Sequence, residues 1–558
     1  MTHAEPSSRR RSDRPDAGPA AGEPVRAGRR WLLRALIALA LLFALAATVL
    51  AEPLRWFDGP HLAARAAAAV SLLAAAAEDG LDPADYDAGK LAAAVTAAER
   101  MPAPDAAARA RLDAALTAAM QRYLADLHHG RLDPRRLHPG LRLPVPDGFD
   151  AAGALDAALA TGRLTALPVE VAPSLPYYAQ LRRALARYRA LDGHPAWQRP
   201  LPPLPRTGPR GAPRVDPDSE WAGAALLAER LAALGDLVRP ADDPAATPAT
   251  PAVAPPPRYD ETLAAAVRSF QRRHGLDIDG VIGPTTLARL EVAPAARARQ
   301  IALTMERLRW TPLRDAPRTI LVNVPEFVLR AYDVEAGRIV VRTQMRVVVG
   351  KALDTRTPLI QADLRHVEFS PYWNVPLSIA RGELVPSLRR DPSRFERDGY
   401  EFVGAGGADR VLTSAKLDAV AAGRLRIRQR PGPRNALGDI KFAFPNRDSI
   451  YLHHTPSTQL FERTRRDFSH GCIRVEDPVA LARFVFAGMP AWPEARIVEA
   501  MEAGASRTVP LVTPIPVLIS YGTVVIDDGA IVFLDDLYGH DQALATALRA
   551  RGRAAIGI

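Results

Sequence analysis

The only cysteine of the 558-residue chain, Cys472, stands close in sequence to three of its twelve histidines, His453, His454 and His470. A thiol becomes a strong nucleophile when a neighbouring base takes its proton or a positive charge stabilises the thiolate. His453 follows a short apolar run, and a polar connection leads from it to the cysteine nineteen positions later. Because this connection is long enough to fold back, the spacing predicts an imidazole beside the thiol and nucleophilic catalysis by cysteine.

The neighbours of the cysteine distinguish a reactive thiol from a buried structural one. A lone cysteine is most often a small core residue, but Ser469, His470 and Arg474 surround this one with polar groups that a core position would not tolerate. Gly471 allows the backbone to approach a substrate closely. Downstream, residues 476–478 (Glu-Asp-Pro) precede an apolar run and are typical of a helix start. The cysteine is therefore predicted on a loop just before a helix, where reactive groups are common.

The same residues resemble a known family. A histidine followed, after a spacer, by Ser-His-Gly-Cys-x-Arg is similar to the signature of the L,D-transpeptidases, the YkuD-type enzymes that cross-link peptidoglycan. Residues 430–438 (RPGPRNALG) and 441–446 (KFAFPN) resemble the approach to the site in the long Gram-negative members. Those members commonly have Asp after the upstream histidine, where this chain has His454. The resemblance implies Cys472 as nucleophile, His453 as base and the backbone carbonyl of His454 as the group that orients the base.

The resemblance also implies a reaction, acyl transfer through a thioester. Cys472 would attack the carbonyl between diaminopimelate and the terminal D-Ala of a tetrapeptide stem, and D-Ala would leave. An amine from a second stem would then take the acyl group, with His453 as base. The backbone N–H groups of Gly471 and Cys472 are expected to form the oxyanion hole. The expected partners are peptidoglycan stem peptides, as donor and as amine acceptor, and carbapenems are expected to trap the thiol.

The remaining candidate residues are interpreted as contacting substrate or shaping the loop. Ser469 is expected to order the loop, and His470, only two residues from the thiol, is expected to shape the loop rather than act as the base. Arg474 either binds a substrate carboxylate through its planar fork or makes a loop-stabilising hydrogen bond. Trp373 either lines a substrate groove or packs at a hinge. Two further residues, Tyr451 and Asn435, complete the candidate set.

Alternative functions stay open at this point. The same cysteine and histidine would serve an amidase or hydrolase if water took the acyl group, or an enzyme that attaches lipoproteins to the wall if a protein amine did, because acceptor choice depends on pocket shape. A non-catalytic wall-binding scaffold is a further alternative, and the intact pair argues against it. The sequence contains no metal-ligand set, phosphate loop or dinucleotide fingerprint, so neither a metal nor another cofactor is expected.

The net charge of +10 suggests an anionic partner such as a membrane or a wall polymer. Nearly all the basic residues are Arg, a pattern typical of compositional bias, and no Lys/Arg stripe is interleaved with aromatic residues. Nucleic-acid binding is therefore not expected. Proteins of cell-wall synthesis are additional candidate partners.

The N-terminus predicts attachment to a membrane. Residues 1–30 are polar and rich in Pro and Arg, as in a disordered cytoplasmic tail. Residues 31–51 are apolar apart from Arg34, close to the roughly 20 residues that span a bilayer. The basic residues before this segment predict a cytoplasmic N-terminus. An uncleaved anchor is favoured over a cleaved signal peptide because the apolar run is long. The expected location is the inner membrane, single-pass, with the catalytic part in the periplasm.

The rest of the chain predicts a multidomain α+β protein. Ala- and Leu-rich helical patterns give way at about residue 319 to β-branched, partly alternating segments at 319–324, 327–332 and 339–349. Segments 516–526 and 531–533 are expected to complete the same sheet. The predicted parts are a helical scaffold domain (55–239), a Pro-rich linker (240–257), a three-helix peptidoglycan-binding module (258–292) and a mainly-β catalytic domain (295–545) with a helical capping insertion (375–425).

Overall fold

The computed structural model describes residues 54–101, 104–139, 141, 148–237, 258–313 and 315–555. The predicted cytoplasmic tail (1–30), membrane anchor (31–51) and Pro-rich linker (240–257) lie outside these residues. Over the described ranges, no helix combines the length and the apolar character that are needed to cross a membrane.

The first part of the described chain is helical. A short hairpin of two two-residue strands, β1 (Phe57–Asp58) and β2 (His61–Leu62), comes first. It is followed by the helices α1 (Ala64–Ala75), α2 (Ala88–Glu99), α3 (Ala106–His129), α4 (Pro134–Leu137), α5 (Ala151–Ala160), α6 (Leu167–Val171) and α7 (Pro176–Ala190). The long helix α3 begins at Asp105, whose carboxylate accepts the Ala108 N–H at 2.7 Å. Leu116, Met120 and Leu124 recur every four residues along α3 and are fully buried, so this face packs on α1, α2 and α5.

A smaller helical group follows. It contains α8 (Ala224–Leu234), α9 (Glu261–Arg272) and α10 (Pro284–Leu290), with the paired strands β3 (Ser219–Glu220) and β4 (Arg258–Tyr259). Buried Gln271 holds the turn before α10: its amide donates to Asp279 Oδ1 at 2.8 Å and to the Val281 carbonyl at 3.0 Å. The next helix, α11 (Pro294–Arg309), packs on α7 and leads into the sheet region.

The last part of the chain is mainly β. Its strands are β5 (Arg318–Asn323), β6 (Val328–Glu335), β7 (Arg338–Gly350), β8 (Ile360–Phe369), β9 (Trp373–Asn374), β10 (Tyr400–Gly404), β11 (Gly407–Asp409), β12 (Arg426–Gln429), β13 (Ile440–Ala443), β14 (Leu452–His453), β15 (Asp467–Ser469), β16 (Ile473–Val475), β17 (Arg507–Ser520), β18 (Val524–Asp527) and β19 (Ala530–Phe533). Its helices are α12 (Leu377–Ile379), α13 (Val385–Arg390), α14 (Arg394–Arg397), α15 (Ser414–Ala421), α16 (Pro478–Phe486), α17 (Glu494–Glu502) and α18 (His540–Ala555).

Nine of these strands form one sheet in the order β15-β7-β16-β14-β13-β8-β17-β5-β6. The sheet closes on itself through β7, because the first part of that long strand pairs with β6 and its last part pairs with β16. Buried residues of β5, β8, β14, β16 and β17 share one hydrophobic core with residues of α16. The three strands predicted between residues 319 and 349 are confirmed as β5, β6 and β7.

The expectation for the end of the sheet is only partly right: residues 516–520 belong to β17 of the nine-stranded sheet, but the residues after them do not join it. Segment 516–526 is not one strand, because β17 ends at Ser520 and β18 begins at Val524. β18 and β19 pair only with each other, as a separate hairpin. Apolar residues stand on both sides of the short connection Tyr521–Thr523, so hydrophobicity alone does not show that one strand ends there and another begins.

The insertion is only partly helical, which corrects the prediction for 375–425. Besides α12–α15 and a π-helical turn at Ala380–Leu384, it contains β10, β11 and β12, which join β9 in a four-stranded sheet. This sheet has its own core, in which Tyr400 and Phe402 pack with Leu388 and Phe395. The charged residues hid the strands, because they interrupt the apolar pattern: Glu401 of β10, for example, is buried and pairs with Arg428 across the ladder.

Candidate active site

Two adjacent parallel strands bring the candidate nucleophile and base together. In the register of β14 and β16, Leu452 lies opposite Ile473 and His453 opposite Arg474. Leu452 and Ile473 are fully buried in the core. Because successive side chains of a strand point to opposite faces, Tyr451, His453, Cys472 and Arg474 project together from the other face. This placement puts His453 diagonally across from Cys472.

His453 is held as a neutral imidazole. Its Nδ1 lies 2.5 Å from the carbonyl oxygen of His454, so Nδ1 carries the proton and donates it, and the Nε2 lone pair stays available. Burial, reinforced by the charge of Arg474, lowers the pKa of His453 to about 3. The orienting carbonyl therefore lies where the resemblance implies it. The imidazole of His454 bonds to Asp439, whose Oδ2 lies 3.1 Å from its Nδ1.

The Cys472 thiol lies at the edge of the protein surface, with Sγ 3.7 Å from the Ser449 carbonyl oxygen. Burial raises the pKa of the Cys472 thiol. Hydrogen bonds from Tyr451 and the charges of Lys441 and Arg474 act in the opposite direction on that pKa. Tyr451 is thus a thiol-contacting residue, and its ring also packs edge-on against His453 at 5.7 Å.

A row of polar residues crosses the sheet beside the thiol. Pairing aligns Arg474, His453, Lys441, Glu368 and Thr508 on five successive strands. Lys441 Nζ lies 3.0 Å from Glu368 Oε1 and 4.6 Å from the centre of the Tyr451 ring. The sequence pointed to Lys441 only as part of a motif and gave no sign of Glu368. The alignment of these two residues depends on pairing between strands that are far apart in sequence.

The loop before Cys472 is ordered by side chains, as expected for Ser469. Its hydroxyl donates to the Cys472 carbonyl at 2.5 Å and accepts the Gly471 N–H at 3.1 Å. Thr357 Oγ1 donates to the Gly471 carbonyl at 2.7 Å. Gly471 has φ +113°, which a side chain would strain. Of the two predicted oxyanion donors, the Gly471 N–H is therefore occupied, and the Cys472 N–H has no partner in the described chain.

The other candidate residues divide between loop, insertion and site. His470 Nε2 lies 2.6 Å from Glu383 Oε1, which joins the cysteine loop to the insertion. Asn435 is buried and bonds to the carbonyl groups of Pro371 and Arg430, so it shapes the loop. Trp373 packs on the core of the insertion rather than beside the thiol, as in the hinge interpretation.

Arg474 lies in the site without a counterion. The described residues place no carboxylate within ion-pair distance of it, and its Nε is buried without a hydrogen-bond partner. Burial lowers the pKa of Arg474. A planar guanidinium in this state is ready to receive a carboxylate from a ligand. In the described ranges, no cluster of three or more His, Cys, Asp or Glu side chains is arranged to hold a metal ion.

The pKa directions lead to a testable pH profile. Because the pKa of His453 is about 3 and burial raises the pKa of Cys472 above its ordinary range, the imidazole stays neutral and the thiol stays mainly protonated in neutral solution. We expect the rate of thiol acylation to be flat between about pH 5 and about pH 8. Stopped-flow acylation across this range measures it. A sigmoidal rise centred near the ordinary histidine pKa of about 6.5 would contradict this arrangement.

The charge of Lys441 can be tested separately. Since this charge lowers the pKa of Cys472, Lys441→Met is expected to slow alkylation of the single thiol by iodoacetamide about threefold to tenfold at a fixed pH. The control is Lys90→Met, which removes a charge from an exposed side chain of α2. Equal alkylation rates in the two variants would show that Lys441 does not act on the thiol.

Comparison with known proteins identifies the domain family of three parts of the chain. Three family profiles match the chain. "Scaffold domain" matches residues 51–185, and "Putative peptidoglycan binding domain" matches residues 224–290, a range that includes α8. YkuD, "L,D-transpeptidase catalytic domain", matches residues 317–493. Cys472 and His453 lie within the last match. The chain therefore carries an L,D-transpeptidase catalytic domain of the YkuD type, together with a scaffold domain and a peptidoglycan-binding domain, and the resemblance seen in the sequence is confirmed.

One relative can be described further. A protein of Haemophilus influenzae named "Putative L,D-transpeptidase" is 33% identical over 254 residues. The aligned part is 45% of this chain and 49% of that protein, so the chain spans about half the length of its relative.

Proposed function

We propose that this protein is an L,D-transpeptidase that cross-links diaminopimelate residues of peptidoglycan stem peptides through a Cys472 thioester. The observation that carries the proposal is the fixed tautomer of His453. Because its Nδ1–H donates to the His454 carbonyl, Nε2 is left as a proton acceptor on the face from which Cys472 projects. The matched catalytic and peptidoglycan-binding domains support the same substrate polymer.

In the acylation step, His453 Nε2 takes the Sγ proton as Sγ attacks the carbonyl carbon between diaminopimelate and D-Ala. The negative charge on the carbonyl oxygen is stabilised by the Cys472 N–H. The intermediate collapses when the C–N bond breaks. The D-Ala amine leaves with the proton from His453, and the thioester remains.

In the transfer step, the amine of a second stem peptide gives its proton to His453 Nε2 and attacks the thioester carbonyl. The C–S bond then breaks, the new amide forms, and the Cys472 sulfur regains a proton from His453. The same imidazole serves both steps, so both acylation and transfer depend on its orientation by the His454 carbonyl.

Arg474 is proposed to bind the carboxylate of the terminal D-Ala. Its unpaired guanidinium on the same face as the thiol supports this role over a loop hydrogen bond. A bidentate contact would fix the donor peptide so that its scissile carbonyl meets the sulfur.

For location, we propose single-pass attachment to the inner membrane with the catalytic part in the periplasm, which rests on the apolar segment 31–51 and the basic residues before it. Peptidoglycan stem peptides are the proposed partners, and proteins of wall synthesis are further candidates.

The test is product analysis of muropeptides. Purified full-length protein incubated with disaccharide tetrapeptides is expected to yield cross-linked dimers and one D-Ala per link, detected by mass spectrometry, and Cys472→Ala should yield neither. Shortened stems without dimers would instead identify a hydrolase, and transfer to a lipoprotein amine would identify an attachment enzyme. Absence of any product with the wild-type chain would support a wall-binding scaffold.

A further inference from the structure

A second site lies far along the chain from the cysteine loop. A cavity of about 460 Å³ is enclosed by the start of α7, by one face of α11, and by strands of the sheet and the β18–β19 hairpin. Leu175, Leu308, Ile339, Leu518 and Val525 give it mainly apolar walls. Its volume falls within the range of about 300–1,000 Å³ that holds small-molecule ligands. Neither Cys472 nor His453 contributes to it.

One cationic side chain in this cavity has an unused hydrogen-bonding edge. Arg307 is only 7% exposed. Its Nη1 donates to Asp541 Oδ1, and its guanidinium lies 5.3 Å from the centre of the Tyr521 ring. Nε and Nη2 are buried and have no hydrogen-bond partner in the described chain. These two groups form the side-on edge of a guanidinium, the edge that receives both oxygens of a carboxylate.

A hydroxyl one turn earlier on α11 is also unsatisfied. Thr304 is 2% exposed, lines the same cavity, and its Oγ1 has no partner among the described residues. Two other polar side chains of the wall are satisfied within the protein: Asn323 bonds to Gly522, and Tyr521 donates to Asp536 Oδ1 at 2.7 Å. Trp310 Nε1, on a third wall residue, is a further buried donor without a partner among the described residues. The unpaired groups of Arg307 and Thr304 thus lie one helical turn apart on α11.

The charges around the cavity favour an anion. Arg330, which also lines it, is fully engaged by Glu326 and Gln344. Arg307 keeps a positive influence despite Asp541: burial is the main cause of the lowered pKa of His138 and of His540, each about 4, and the charge of Arg307 adds to both. The local field therefore suits a negative head group near Arg307.

We propose that this cavity binds an aliphatic carboxylate, with the carboxylate on the Nε–Nη2 edge of Arg307, one oxygen near Thr304, and the chain along the apolar wall. Such a ligand joins the helical part of the protein to the catalytic sheet, because α7, α11 and β17 all line the cavity. The inference is independent of the proposed transpeptidation.

The experiment is calorimetric titration of the full-length chain with decanoate and, separately, with 1-decanol. Decanoate is expected to bind with one saturable site and at least about tenfold more tightly than the alcohol, a difference of about 1.4 kcal/mol. Arg307→Lys keeps the charge beside Asp541 but loses the fork, so it should weaken decanoate binding about tenfold. The matched control is Arg342→Lys, which alters a paired arginine of β7 outside the cavity and should leave the affinity within about twofold.

Other results would overturn the inference. Equal affinity for decanoate and decanol would show that the cavity is only an apolar void. Absence of saturable decanoate binding would show that the cavity is not a binding site for this ligand. Should Arg307→Lys fail to fold, Thr304→Val, which replaces only the hydroxyl, gives the second reading, with an expected loss of about threefold to tenfold in decanoate affinity. Unchanged affinity in Thr304→Val, together with equal binding of the two wild-type ligands, would contradict the proposed head-group site.

Discussion

Replacement of His453 by Gln is expected to lower the rate of acyl-enzyme formation by about 10²–10⁴-fold. The glutamine amide can still donate to the His454 carbonyl, as Nδ1–H of the histidine does at 2.5 Å. It cannot accept the Sγ proton, because an amide nitrogen has no basic lone pair. The rate is measured in single turnover by following the mass of the intact protein after addition of substrate.

The matched control is His61→Gln, which changes an exposed histidine of β2, a strand outside the sheet that carries the thiol. We expect this variant to acylate within about threefold of the wild-type rate, since it alters neither the base nor its orienting carbonyl. Equal rates for His453→Gln and the wild type would mean that another group takes the proton.

Replacement of Arg474 by Met is expected to separate function from stability. Loss of a charge-assisted contact to the donor carboxylate should lower kcat/KM about tenfold to a hundredfold, mainly through KM. The free energy of unfolding should not fall, because the variant removes a partly buried guanidinium whose Nε has no partner. Steady-state kinetics and thermal unfolding of the same preparation measure the two effects.

Arg346→Met provides the contrast. Arg346 is bound by Glu476 and Glu462, so its removal should lower the unfolding temperature while KM stays close to the wild-type value. If Arg474→Met instead lost stability and kept its KM, Arg474 would be a loop-stabilising residue, which is the alternative that the sequence left open.

The candidate residues of the site could be named from the sequence because they stand in short motifs. Cys472, His453 and the ordering role of Ser469 follow from residue types within a few positions of one another. The first three strands of the sheet were predictable for a similar reason, since alternation is a local property. The orienting carbonyl of His454 required the resemblance, and the structure shows it in contact with His453.

What could not be predicted depends on pairing between distant segments. Lys441 and Glu368 become neighbours only when β13 pairs with β8, across more than seventy residues. The strands of the insertion were hidden by charged residues within them, such as buried Glu401, whose partner Arg428 lies on another strand. The two interpretations of Arg474 differ in whether the folded chain itself supplies a hydrogen-bond partner for the guanidinium. The spacing of residues along the sequence does not show this. The occupied N–H of Gly471 likewise depends on the rotamer of Ser469.

The central claim, that the Cys472 sulfur is the acyl acceptor, is tested most directly by the intact mass of the full-length protein before and after incubation with a carbapenem. The chain has a single cysteine, so the adduct can be assigned without ambiguity by comparison with Cys472→Ala. We predict that the wild-type chain gains the mass of one carbapenem and that the alanine variant gains none. An unmodified wild-type protein, or the same adduct on the alanine variant, would contradict the account.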